Sequence, residues 1–153
     1  MPRQFKGMGI SFLYPDNWVL DDDPDLDDLE EGSVAVVSPS GAFLSVSVYP
    51  RLMDPNELAE EAVEGIRQEY GDVDVEAAQD TVAGRDLRGF DVNFFCMDLT
   101  STAKVRCLRT QTATYAIFFQ AEDADFERLA RVFEAITANL VGNLRDDGAL
   151  GAL

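Results

Sequence analysis

Histidine is absent from the 153 residues. That removes Ser-His-Asp and Cys-His catalysis, histidine-ligated zinc and the commonest general base at neutral pH. Cysteine occurs only at Cys96 and Cys107, too few for a disulfide framework or a four-cysteine zinc site. Positive charge is scarce. Twelve Lys and Arg face 29 Asp and Glu, a formal net charge of −17. Such a surface repels phosphate backbones and anionic bilayers, so neither nucleic acid nor membrane is expected as a partner. No apolar run approaches the ~20 residues of a membrane span. The start, Met1-Pro2-Arg3-Gln4-Phe5-Lys6-Gly7, has no signal-peptide-length apolar run behind it, which sets the expectation of a cytoplasmic protein.

What remains is ordinary globular material. Apolar residues make up 46% and charged residues 27%, and the length suits one domain with a core of its own. The expectation is a single domain over residues 1–141, followed by a loose tail over 142–153. Ile10, Phe12 and Tyr14 alternate with Ser11 and Leu13 as a first strand. Pro15-Asp16-Asn17 turns the chain into a short strand from Trp18. The runs 33–38 and 42–49 flank Pro39-Ser40-Gly41 and read as a hairpin. Asp54-Pro55-Asn56-Glu57 is a helix start with cap and N1 proline. Leu58, Ala59, Ala62, Val63, Ile66 and Tyr70 follow on one face, and Gly71 closes the helix.

Strands over 73–78, 87–98, 103–111 and 114–121 follow, the last three as an antiparallel meander. Several of these strands are apolar at both parities, which requires cover on both sheet faces. A final helix from about Asp123 to Leu140 buries Phe126, Leu129, Ala130, Phe133, Ile136 and Leu140. The expected fold class is α/β (α+β). An antiparallel sheet of about six strands would lie sandwiched between helices.

This order, with particular residues, resembles the superfamily of PsbP, the Mog-type Ran-binding protein and the bacterial DcrB-like proteins. The residues concerned are the strand and Tyr14-Pro15-x-x-Trp18, the hairpin, the helix from Pro55, Val82-Ala83-Gly84-Arg85, and Ala135-Ile136-Thr137-Ala138-Asn139-Leu140. The resemblance covers about Gly9 to Leu140. It implies an antiparallel sheet between helices, and binding rather than chemistry. Members dock on photosystem II, on a small GTPase or on apolar helices of exported effectors, and they share no catalytic residues.

The acidic stretch 21–31 holds eight of the 29 acids. It could coordinate calcium, yet it lacks the EF-hand's loop glycine and terminal bidentate glutamate, and a solvated or partner-facing segment is the plainer reading. Cys96 and Cys107 could form a redox pair. With the turn centred near Ser101 and Thr102 they face each other, and they read as buried, adjacent, reduced thiols. Arg88, Lys104, Arg106 and Arg109 gather on the meander, to hold an anionic partner or to pair with Asp91 and Asp98. Tyr14 and Trp18 could form a contact surface or fill the core, core filling being the commoner use of large aromatics.

The expected function is therefore a non-enzymatic protein-binding module or adaptor with no cofactor and no metal. Its partner would be another protein, a basic one being favoured by the net charge, meeting a surface that includes Asp25, Asp27, Asp28, Arg88, Lys104 and Arg106. A small-ligand carrier and a histidine-free carboxylate or metal-dependent enzyme are the alternatives. An apolar largest pocket would favour the carrier, and an exposed apolar patch the adaptor.

Overall fold

A computed structural model describes residues 2–22 and 32–144. Nine strands and two helices follow the order β1 Arg3–Gly7, β2 Ile10–Tyr14, β3 Val19–Asp22, β4 Gly32–Val37, β5 Phe43–Tyr49, α1 Pro55–Tyr70, β6 Asp74–Val82, β7 Arg85–Cys96, β8 Leu99–Arg109, β9 Thr114–Glu122 and α2 Asp123–Gly142. Seven strands make one antiparallel sheet in the order β3-β4-β5-β9-β8-β7-β6.

Each face of the sheet has its own core. On one face, Leu58, Ala59, Val63 and Ile66 of α1 pack on Val92, Phe94, Ala103, Val105 and Cys107. Burying a Leu, Ile or Val in such a layer stabilises by about 1.5–3 kcal/mol per side chain. α1 is fixed at both ends: Asp54 Oδ1 accepts the Asn56 N–H at 2.9 Å, and Gly71 takes a positive φ at the C-cap. On the other face, Phe133, Ile136, Leu140 and Val141 of α2 pack on Leu44, Val46, Ile117 and Phe119. The expected sandwich is present.

The strand count differs from expectation. β2 does not join the large sheet. It pairs with β1 in a separate hairpin, and Phe5, Ile10, Phe12 and Tyr14 enter the α2-side core. Asn139 of α2 and Asn143, which caps its C-terminus, bind this hairpin through its edge: Leu13 N–H donates to Asn139 Oδ1 at 2.8 Å, and Asn143 Nδ2 donates to Ser11 O at 3.1 Å. Those bonds satisfy backbone groups that an unpaired edge strand leaves open. Tyr14 and Trp18 fill the core, Trp18 meeting Phe133 edge-on at 5.9 Å. Leu144, two residues past α2, is still packed in that core. The expected tail falls, from residue 145 on, outside the described residues.

The β7–β8 register also differs. The turn is Met97-Asp98, four residues earlier than expected, so Cys96 pairs with Leu99 while Cys107 pairs with Arg88. Eight residues of strand therefore separate the two thiols along the ladder, about 26 Å at 3.3 Å per residue. No bridge can span that distance. Only Cys107 is buried, Cys96 being half-buried.

Candidate functional site

The described residues hold no group of three or more Cys, Asp or Glu side chains placed to bind a metal. No helix among them is long and apolar enough to cross a membrane. The nearest approach to a nucleophile relay is Ser38–Ser40–Asp125–Arg128. Ser38 and Ser40 hydroxyls lie 2.9 Å apart, Ser40 donates to Asp125, and Arg128 pairs with the same carboxylate. Burial works to raise the Asp125 pKa, but the bonds from Arg128 and Ser40 outweigh it and hold the group below its ordinary value. A carboxylate so stabilised is a weak base for a serine. The cluster ties the β4–β5 turn to the first turn of α2.

The expected surface residues separate. Arg88 and Arg109 lie on the α1 face of the sheet, with Cys107, because directly paired residues share a face. Lys104 and Arg106 lie on the α2 face. Arg106 is only 3% exposed, so it belongs to the interior. Its Nε donates to Asp80 at 2.6 Å, Nη2 to Asp91 at 2.7 Å, and Nη1 to the carbonyls of Phe90 and Val105. Pairing with Asp91 is the expected cross-strand use; the second acid is Asp80 rather than Asp98. The stem of Arg106 lies opposite Gly89, itself opposite Ala78, so small residues leave it room. Lys104 sits over the Phe126 ring at 5.4 Å, a cation–π contact. Asp25, Asp27 and Asp28, and with them the calcium question, fall outside the described residues.

A feature the sequence did not single out is the far end of β7 and β8. These strands run for 12 and 11 residues. β6 begins opposite Asn93, and β9 ends opposite Ser101. Residues 95–100 thus extend beyond both neighbouring strands as a two-stranded arm. The helices stop short of it too. Tyr70, the last residue of α1, stacks on Phe94 at 4.4 Å, and α2 starts where Thr102 donates to Asp123 at 2.6 Å. Phe95 is 67% exposed, Met97 89% and Leu99 49%. Its turn residues, Met97 and Asp98, both have positive φ (54° and 64°) although neither is glycine. No Lys or Arg occurs from residue 89 to residue 103, whereas Asp98 sits on the turn and Glu122 and Asp123 lie near the base.

Among the described residues, clefts of ligand size flank the sheet, two of which bear on function. The larger, about 630 Å³, opens where α1 begins and is lined chiefly by charged side chains, among them Asp54, Arg85, Asp86, Arg88 and Arg109. The smaller, about 480 Å³, lies between α2 and the sheet, bounded by Lys104, Leu87, Phe119, Phe126 and Thr137.

No family model matches the chain, and no curated protein matches it in sequence. Solved structures match its shape. The solution structure of the cyanobacterial PsbP protein CyanoP from Synechocystis sp. PCC 6803 aligns with a TM-score of 0.62 at 12% identity over 90% of each chain. A mutant of protein Mog1 aligns with a TM-score of 0.60 at 13% identity, over 97% of this chain and 98% of its own. A protein from Bacteroides thetaiotaomicron VPI-5482 aligns with a TM-score of 0.64 at 15% identity, over 95% of this chain and 49% of its own, so this chain spans about half its length. At such identities the likeness is one of fold: the chain has the PsbP/Mog-type fold.

Proposed function

We propose that the protein is a non-enzymatic, cytoplasmic binding module whose partner is another protein, held through the β7–β8 arm. The exposed apolar arm carries this reading. Three large apolar side chains, with Phe95 and Leu99 on opposite faces of the arm, stand clear of the fold on a chain of net charge −17, and exposed apolar surface rimmed by polar groups is the ordinary mark of an interaction site. The matching partner offers an apolar socket with a basic rim, because Asp98, Glu122 and Asp123 border the arm. Asp25, Asp27 and Asp28 would add to the steering of such a partner, which accelerates association more than it tightens it. The charged lining of the larger cleft weighs against a carrier of apolar ligands. The resemblance to PsbP, Mog-type and DcrB-like proteins implies binding rather than catalysis.

The test pairs affinity capture from the native cell with two variants. A partner retained by wild type and by Arg67→Gln, on the exposed side of α1, is expected to be lost by Phe95→Ser/Met97→Ser. Its association rate should fall steeply with salt, because screening shortens the Debye length from about 10 Å at 0.1 M to about 3 Å at 1 M. Undiminished capture by the double variant would overturn the arm. A hydrolase activity abolished by one Asp, Glu, Ser, Thr or Cys substitution would overturn the binding-module reading.

A further inference from the structure

The larger cleft contains an anomaly of charge. Acids outnumber bases 29 to 12 in this chain, yet neither Arg88 nor Arg109 has an ion pair or hydrogen bond with any described residue. The two share a face of adjacent strands as diagonal neighbours, Arg88 opposite Cys107 and Arg109 two residues further on. Like charges so placed repel. Two acids line the same cleft, so its three arginines leave it a net positive charge. Asp54 caps α1 through the Asn56 N–H, and Asp86 accepts from the Thr81 hydroxyl at 3.2 Å. Arg85, at the start of β7, also lines the cleft, and its Nη2 donates to the Leu144 carbonyl at 3.4 Å. The floor adds no negative charge at neutral pH, since burial pushes the Cys107 thiol up to about 12 against the pull of Arg106.

We propose that this cleft binds one small oxyanion of the phosphate type, gripped by the guanidinium forks of Arg88 and Arg109 with Arg85 as the third positive charge. The choice follows from geometry and from the rest of the surface. One guanidinium fork saturates both oxygens of a carboxylate, whereas two or three forks match the additional oxygens of a phosphoryl group. A polyanion would meet the acid-rich remainder of the protein, so the local cluster selects a compact ligand. The cleft volume, about 630 Å³, falls in the range of small-molecule sites and exceeds the needs of a lone phosphate, which favours a phosphate monoester. This inference is independent of the arm and of any protein partner.

Titration of the intact protein with inorganic phosphate, glycerol phosphate and malonate at constant ionic strength, followed by amide and arginine Nε–H NMR shifts, tests it. Saturable shifts are expected at residues 85–88 and 107–109 with both phosphates. Tighter binding of glycerol phosphate would assign the site to esters, and equal binding to free phosphate. Arg88→Gln and Arg109→Gln should each weaken binding by about tenfold or more, as loss of a charged hydrogen bond does, while Arg67→Gln leaves it unchanged. Linear shifts without saturation, malonate binding as tightly as either phosphate, or saturation indifferent to both arginine variants would each overturn the proposal. The wild-type titration decides even if a variant misfolds, and none of these outcomes bears on the arm.

Discussion

The two ends of strand β7 are built on opposite principles. At one end, Ala83-Gly84 turns the chain from β6 with a glycine at φ 79°. Nearby, α1 begins and α2 ends, and arginines gather. At the other end Met97-Asp98 turns it without glycine, both helices stop short, and apolar side chains face solvent. The strand between is continuous, so the difference is one of cover. Where the layers close over the sheet, charge is concentrated in a cleft of ligand size. Where they withdraw, the sheet itself becomes a protruding surface. The proposed small-anion site and the proposed docking arm thus lie on one framework, separated by the length of a strand.

The continuity of that strand is most vulnerable at Gly89. A Cβ there would lie 1.8 Å from Val105 O, on backbone that cannot swing aside. Gly89→Ala is expected to cost on the order of 4 kcal/mol or more, the range reserved for severe core faults. Denaturant unfolding or failure of soluble expression reads it. A variant within about 1 kcal/mol of wild type would show that β7 and β8 can part locally, and the two ends would then no longer be rigidly coupled.

Arg106 comes next in size. Removing it leaves Asp80 and Asp91 without their cation in a site where the arginine itself is almost fully buried. Breaking a buried pair typically costs about 3–5 kcal/mol. Asp80 is half exposed and Asp91 about a third, so Arg106→Met should fall at the low end, about 3 kcal/mol. Urea unfolding measures it. Asp80→Asn should cost less, about 1 kcal/mol, because water reaches that carboxylate. Equal losses would mean that the pair with Asp80, not the bonds to the Phe90 and Val105 carbonyls, carries the site.

Much of this plan was legible beforehand. α1 announced itself through Asp54, Pro55 and Gly71, each with a mechanism at its position, and α2 through a stripe of apolar residues at helical spacing. The face assignment of β7 was legible too: Phe90, Val92, Phe94 and Cys96 do share the α1 side. The register was not, because the expected signal was displaced. Ser101 and Thr102 look like turn residues but lie in β8, while Met97-Asp98 carries no glycine or asparagine to mark a two-residue turn. The turn moved by four residues, an even number, so side chains kept their faces while the cysteines moved apart. β1 escaped because only Phe5 among its five residues is buried. The arm and the arginine cleft escaped for a deeper reason. Both are defined by where neighbouring strands and helices end, and no local pattern encodes that.

The smallest expected effect tests the strained end most directly. Asp98 at φ 64° occupies a region that costs L-residues roughly 1–2 kcal/mol, less for Asp, whose side chain can bond locally. Asp98→Gly removes that cost and adds about 0.5–1 kcal/mol of unfolded-state entropy to be lost on folding. The resulting Met-Gly turn is one the chain already uses at Met8-Gly9, where φ is 53° and 76°. A net gain of about 0.5 kcal/mol is expected, a rise in Tm of about 1–2 °C for a chain of this size. Calorimetry resolves it. A fall in Tm would mean that the Asp98 side chain holds the turn through a local bond, so that the glycine-free turn is a fitted structure and not a strained one. If Tm rises and the captured partner is still held but associates more slowly, the aspartate contributes charge to recognition rather than geometry, as steering toward a basic rim requires.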